Sequence, residues 1–216
     1  MNKLETLFRE TKTPSQYGKG YLDYLAEILR SLDSQKIEEV IHLFDQARIS
    51  GKTIFFIGNG GSAATCSHFA NDFSLAARGT DAVPFKAISL CDNNALVSAI
   101  ANDVGYEGLF VEQLKTLAQK GDLLMAISAS GNSHNLLRAI EYADSHEMIT
   151  VGIVGFDGGK MKTMCRYFLH IPTKGGEYGP SEDAALVLDH LISSYLTYRI
   201  YGEKLGFRPA HSGYEN

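Results

Sequence analysis

One local pattern occurs twice in the chain: a short apolar run, then a loop of Gly, Ser and Asn, then a helical pattern. The first loop covers residues 58–62, and the second covers residues 128–133. Small side chains leave the backbone N–H groups at the start of the next helix open, and these groups attract anions together with the helix dipole. The pair of loops predicts one ligand that carries a phosphate and several hydroxyl groups, such as a phosphorylated sugar. The alternative is two tight turns that need glycine for the backbone alone.

A nucleotide is not indicated by either loop. The first loop lacks the lysine of a P-loop, and its glycines do not have the spacing of a dinucleotide-binding fingerprint.

Strand and helix patterns alternate after the first fifty residues, which predicts a parallel sheet covered on both faces. Both loops then lie at the carboxyl ends of strands, where open α/β sheets bind ligands. The predicted strands are 53–57, 86–89, 123–127, 150–154 and 168–171, and the predicted helices are 62–77, 94–102, 108–117, 133–145, 160–164 and 182–201.

We therefore expect an α/β fold with a five-stranded parallel sheet in a single domain over residues 1–216. Extra N-terminal helices cover about 20–48, broken at Asp33-Ser34 with Ser34 as a possible cap, and the α/β core covers about 52–201. The tail 207–216 has little apolar content, and we expect it to fray.

The charge and composition of the chain exclude several classes of partner. A net charge of −5 and a pI near 5.8 argue against a nucleic-acid-binding surface. No apolar run is long enough for a membrane span, and the first residues lack a signal core, which predicts a cytoplasmic protein. Cys66, Cys91 and Cys165 lack CxxC spacing, so we expect reduced, partly buried thiols.

Ionisable side chains recur at helical spacing in two places. His68 and Asp72 share one face of the helix after the first loop, and on the last helix either Glu182 or Asp183 lies two turns before His190. Such a set suits a zinc site or proton transfer, provided the last helix reaches the first loop within one subunit or from a neighbour. The alternatives are a surface His–Asp hydrogen bond and acidic residues favoured by a helix N-terminus.

Several segments follow the order and spacing found in phosphoheptose isomerases, which are sugar-isomerase (SIS) domain enzymes. They are residues 58–62, 68–70, 101–106, 127–133 and 157–161, and the resemblance runs from about residue 21 to 201. It implies interconversion of sedoheptulose 7-phosphate and D-glycero-D-manno-heptose 7-phosphate for lipopolysaccharide, capsule or surface glycan. It also implies zinc, and homotetramers with active sites at subunit interfaces.

The resemblance also assigns roles to residues. It implies that Asp72 and His190 are catalytic and that His68, Asp72, Glu182 and His190 hold zinc. The implied substrate contacts are Asn59, Gly60, Gly61, Ser62, Asp72, Asn102, Asp103, Ser128, Ala129, Ser130, Ser133 and Glu182.

Two residues depart from the family pattern, which has Glu at position 72 and Gln at position 182. The side chain of Asp72 is shorter than that of Glu by about 1.5 Å, the length of one C–C bond. Glu182 adds a negative charge that would hold a cation more firmly and repel an enediolate.

Two other functions stay open from the sequence. One is a non-catalytic SIS protein that binds the bacterial replication initiator, and the other is an isomerase or sensor for a different phosphosugar. The last helix is apolar on several sides, which favours packing against another subunit. The residues concerned are Leu186, Leu188, Leu191, Ile192, Leu196 and Ile200.

Overall fold

The structure is a computed structural model, and it describes residues 2–204; the predicted tail 207–216 lies outside them. The helices are α1 Lys3–Glu10, α2 Pro14–Arg30, α3 Ser34–Ile49, α4 Gly61–Leu75, α5 Asn94–Asp103, α6 Leu109–Leu117, α7 His134–Ser145, α8 Met161–Met164 and α9 Tyr178–Lys204. The strands are β1 Thr53–Gly58, β2 Lys86–Ser89, β3 Leu123–Ser128, β4 Ile149–Val154 and β5 Tyr167–His170. Between residues 2 and 204, no helix combines the length and apolar character that crossing a membrane requires.

The five strands form one parallel sheet in the order β2-β1-β3-β4-β5, which confirms the predicted fold class. β1 and β3 are direct neighbours, with Gly58 opposite Ile127 at their carboxyl ends. The chain leaves β1 toward one edge of the sheet and β3 toward the other, and such a reversal opens a ligand crevice. The two Gly/Ser loops therefore begin side by side.

Apolar side chains fill the space on both faces of the sheet, because successive residues of β1 point in opposite directions. Phe56 packs among Phe69 and Phe73 of α4, on the face that α3 and α9 also cover. Phe55 points to the other face, where Leu136 and neighbouring residues of α6 and α7 cover it. Buried strands of a parallel sheet are continuously apolar for this reason.

A buried carboxylate fastens the N-terminal helices to the region where α9 begins. Glu177 is fully buried, and its two oxygens accept hydrogen bonds from the Lys3 N–H, the Tyr24 hydroxyl and the Lys174 N–H. Tyr21 of α2 donates to Asp183 of α9. These contacts help to fix the position of α9, which carries several predicted site residues.

The N-terminal helices and the start of α9 differ from the predictions. The short helix α1 was missed, and α2 begins at Pro14. Asp33 rather than Ser34 caps α3, because its carboxylate accepts from the N–H groups of Gln35 and Lys36. α9 begins at Tyr178 rather than at residue 182. Its first turn contains Pro180, which is tolerated there because the first N–H groups of a helix have no partner within the helix.

Candidate active site

Three ionisable side chains from two helices meet at one point. His68 and Asp72 lie one turn apart on α4, with His68 Nε2 3.7 Å from Asp72 Oδ2. His190 of α9 faces them, with its Nε2 3.1 Å from His68 Nε2. One ligand atom from each of the three residues lies within 4.8 Å of the others. The last helix thus reaches the helix after the first loop within a single chain.

The Asp72 carboxylate is held by hydrogen bonds from both helices. Ser193 of α9 donates its hydroxyl to Oδ2 at 3.4 Å, and Asn71 donates its amide to Oδ1 at 3.1 Å. Two imidazoles and one carboxylate are donors that Zn²⁺ takes, and three protein ligands leave a coordination position for a substrate. The donor set therefore fits zinc.

Glu182 lies with the Gly/Ser loops rather than with this group. A methyl group at Gly61 would come within 2.4–2.5 Å of the Glu182 carboxyl atoms. Glu182 and its predicted partners Ser62, Ser128 and Ala129 line one small cavity. Asp183, the alternative that helical spacing left open, instead accepts a hydrogen bond from α2.

The second loop is shaped by its own side chains. The Ser128 hydroxyl accepts from the Gly131 N–H at 3.1 Å, and the Ser130 hydroxyl accepts from the Asn132 N–H at 3.3 Å. Asn132 in turn accepts from the Lys160 N–H at 3.1 Å. Ser133 is the N-cap residue of α7, but its side chain makes no capping hydrogen bond within the described chain. Its hydroxyl is thus not used to cap the helix.

Asn59 fixes the first loop to neighbouring elements through its side chain. Its amide forms two reciprocal hydrogen bonds with the amide of Asn135, at 3.0 and 2.8 Å. The Tyr106 hydroxyl also donates to its oxygen at 2.7 Å. Asn135 and Tyr106 were not among the predicted site residues. The signal for Asn135 was a polar residue on the core face of α7, and Tyr106 belongs to the family segment 101–106, which was given no role for it. A substrate contact at Asn59 would fall mainly on its backbone.

Asn102 and Asp103 lie at the exposed end of α5, where the amide of Asn102 donates to Asp103 at 2.7 Å. Neither residue lines the cavity at Glu182 or the groove beside Asp72. Within the described chain, no side-chain hydrogen bond joins either of them to another of the predicted site residues.

The space for a ligand lies beside the three-residue group. The cavity at Glu182 encloses about 10 Å³, which is room for one water molecule. A groove of about 400 Å³ passes Asp72, His190 and Ser193 and extends to Tyr198. This volume lies in the range of small-molecule sites.

A second carboxyl group lies beside the site without a partner. Asp189 is fully buried, and neither of its oxygens has a hydrogen-bond partner among residues 2–204. Burial, with a smaller contribution from Asp72, raises its pKa from 3.8 to about 8. Burial therefore favours the neutral form of the Asp189 carboxyl group. Asp189 was not among the predicted site residues, although an aspartate on the apolar face of α9 indicates a buried carboxyl group.

Comparison with known proteins gives consistent matches. Residues 16–155 match the family model of the SIS domain. The phosphoheptose isomerase of Helicobacter pylori is 37% identical over 161 residues, covering 72% of this chain and 81% of that protein. The phosphoheptose isomerase of Aneurinibacillus thermoaerophilus is 33% identical over 174 residues, covering 77% and 86%. The structure of phosphoheptose isomerase GmhA from Neisseria gonorrhoeae shares the fold, with a TM-score of 0.77 at 24% identity over 86% of this chain and 100% of that one.

Proposed function

The chain belongs to the phosphoheptose isomerase family of SIS-domain proteins, and we propose that it interconverts sedoheptulose 7-phosphate and D-glycero-D-manno-heptose 7-phosphate. The product would supply heptose for lipopolysaccharide, capsule or surface glycan. The observation that carries the proposal is the meeting of His68, Asp72 and His190 beside an open groove. An aldose–ketose isomerase needs such a set of proton-transfer groups at one point.

Two residues carry out the proton transfers: Asp72 acts at carbon, and His190 acts at oxygen. Asp72 takes a proton from the carbon beside the carbonyl, then returns it to the neighbouring carbon. His190, which lines the same groove as Asp72, moves a proton between the two oxygens. The intermediate between the two proton transfers is an enediolate, whose negative charge must be stabilised.

A zinc ion would be held by His68, Asp72 and His190. When bound, it supplies polarisation of the substrate carbonyl. Glu182 was predicted as a fourth ligand, but its carboxylate lies against Gly61. We therefore assign Glu182 to the substrate side of the site, next to the Gly/Ser loops.

The phosphate would lie at the second loop, where Ser128, Ser130 and Ser133 precede the N-terminus of α7. We further propose a cytoplasmic homotetramer. Large apolar side chains of α9 stay exposed in the single chain and would be covered by subunit packing. They include Val187, Leu191, Tyr195 and Tyr198.

The test is an assay of sedoheptulose 7-phosphate turnover combined with measurement of metal content. We expect turnover by the purified protein, loss of turnover on chelation, and recovery when zinc is added back. A zinc-loaded protein that does not convert this sugar would overturn the proposal. In that case, a rise in melting temperature with another phosphosugar would identify the true ligand, because a ligand specific for the native state stabilises it.

A further inference from the structure

Two side-chain amides join the first Gly/Ser loop to the first turn of α7. Asn59 comes directly after β1, and Asn135 is the second residue of α7. The Asn59 amide donates to Asn135 Oδ1 at 3.0 Å, and the Asn135 amide donates back to Asn59 Oδ1 at 2.8 Å. Asn135 is buried, so water does not readily replace a partner that its amide loses.

Two further donors determine which way each amide is turned. The Leu136 N–H donates to Asn135 Oδ1 at 3.0 Å, and the Tyr106 hydroxyl donates to Asn59 Oδ1 at 2.7 Å. A carbonyl oxygen has two lone pairs, so both amide oxygens are fully used. Neither amide can turn over without losing hydrogen bonds. The arrangement therefore fixes one orientation of the Asn59 side chain.

Tyr106 belongs to a short 3₁₀ turn, Tyr106–Gly108, that is itself fastened to α7. Glu107 of this turn lies 3.5 Å from His134 Nδ1 and 3.7 Å from the Arg138 guanidinium. One residue of the turn thus holds the first loop, and the next residue holds the start of α7.

The backbone of Asn59 leads directly into the first turn of α4. The Asn59 carbonyl accepts from the Ala63 N–H at 3.3 Å. The N-cap residue of α4 is Gly60, which has φ +54° and no side chain to cap the first N–H groups. Because glycine is flexible, the direction of these N–H groups depends on how Asn59 is held. Strand pairing sets where the first loop begins, and the hydrogen bonds of Asn59 set how it continues.

We propose that Asn135 and Tyr106 are positioning residues: they hold Asn59 so that the N–H groups at the start of α4 are aligned for the phosphosugar. The identity of the ligand rests on the proposed function, whereas the hydrogen bonds are those of the structure. The Tyr106 hydroxyl acts through Asn59 and takes no part in the proton transfers. Backbone N–H groups that bind substrate and transition state alike affect KM and leave kcat unchanged.

The kinetic test removes a single hydroxyl group. Tyr106→Phe keeps the exposed ring and loses only the donor to Asn59, so we expect KM for sedoheptulose 7-phosphate to rise roughly three- to tenfold, with kcat unchanged within about twofold. Tyr142→Phe, on α7, is the matched control and should keep both constants. In an Asn59→Ala background, Tyr106→Phe should have no further effect, because the acceptor is already gone.

An unchanged KM in Tyr106→Phe, or an undiminished effect in the Asn59→Ala background, would overturn the positioning role. Asn135→Asp keeps the acceptor of Asn135 but removes its donor, and it should raise KM at least as much. If that buried change unfolds the protein, Tyr106→Phe still decides the proposal, because its ring is exposed.

Hydrogen exchange separates this proposal from the proposed function. In the ligand-free protein, we expect Tyr106→Phe to speed exchange of the Ala63 and Ala64 N–H groups, which bond to the Asn59 and Gly60 carbonyls, by roughly three- to tenfold. Exchange in β3 should stay the same, as mass spectrometry of the two peptides would show. Unmodified protein that does not convert the sugar would overturn the proposed function alone, whereas unchanged exchange at the start of α4 would overturn the positioning role whatever the ligand.

Discussion

The Nε2 atoms of His68 and His190 lie 3.1 Å apart, although 122 positions separate the two residues along the chain. Between two neutral imidazoles, only one proton can lie on the line that joins the Nε2 atoms. A metal cation at this point can instead bind the lone pairs of both nitrogens. Asp72 completes the set from one turn further along α4. The contact joins the helix that follows the first loop to the helix that closes the fold.

Replacing either histidine should remove the metal. We expect His68→Ala and His190→Ala to weaken zinc binding by at least about tenfold, because each loses one ligand of the site. Metal content after dialysis, measured by plasma mass spectrometry, checks this. His146→Ala changes an exposed histidine at the end of α7 and should keep the original metal content. An unchanged zinc stoichiometry in either site variant would refute the assignment.

Removing the charge of Asp72 should abolish most of the turnover. Asp72→Asn keeps the shape of the side chain but cannot accept the carbon proton, so we expect kcat to fall by roughly 10²- to 10⁴-fold. The assay is conversion of sedoheptulose 7-phosphate at saturating substrate and zinc. Asp144→Asn, on an exposed position of α7, is the matched control. Full turnover by Asp72→Asn would show that another group is the base.

Neutralising Glu182 should improve binding of the anionic substrate. Its carboxylate lies at Gly61, beside the loops that would hold the phosphosugar. Glu182→Gln removes one repulsive charge, and we expect KM to fall by roughly three- to tenfold at low ionic strength. Steady-state kinetics at two salt concentrations check this, with Glu141→Gln on α7 as the control. A higher KM would mean that the carboxylate itself binds the sugar.

The turn in the second loop should not tolerate a side chain at Gly131. This residue has φ +62°, and a methyl group there would lie 2.1 Å from the Gly158 carbonyl oxygen. We expect Gly131→Ala to lower the free energy of unfolding by about 1–3 kcal/mol. Gly18→Ala meets nothing within 4 Å in the middle of α2 and should raise stability by about 0.5–1 kcal/mol. Urea unfolding distinguishes the two, and equal effects would contradict the structural account.

Asp189 should make stability fall as the pH rises. Its pKa is about 8 in the fold against 3.8 ordinarily, so between these values the folded state keeps a proton that the unfolded state releases. The free energy of unfolding therefore decreases through this window and levels off above it. Urea unfolding at about pH 5 and about pH 8, with a chelator present to remove metal effects, compares the unmodified protein with Asp189→Asn. Parallel pH dependence of the two proteins would exclude this role for Asp189.

The sequence was sufficient for the sheet because strand and helix periods alternate, and an all-parallel arrangement then follows from the connections. Periodicity also placed His68 and Asp72 on one face of α4. It could not show that His190 would meet them, because a helical period identifies a face but not the element that covers it.

Other features depend on single residues that the periodicity of helices and strands does not identify. The hydrogen bonds between Asn59 and Asn135 join the first loop to the first turn of α7 through side-chain amides. The spacing marks Asn135 as a polar residue on the core face of α7 but does not indicate its partner. The choice between Glu182 and Asp183 likewise needed the position of α2, whose tyrosine holds Asp183. The single-domain boundary and the roles of Asn102 and Asp103 stay predictions.

The pairing of β1 with β3 has a consequence for how this protein could change its substrate during evolution. Both Gly/Ser loops leave from adjacent strands whose ladder places Gly58 opposite Ile127. The distance between the two loops is therefore set by the backbone hydrogen bonds between β1 and β3, and it does not depend on the side chains of the loops. Under the proposed function, new sugars would be accommodated by exchanging those side chains, while the separation between the two loops is conserved by the sheet.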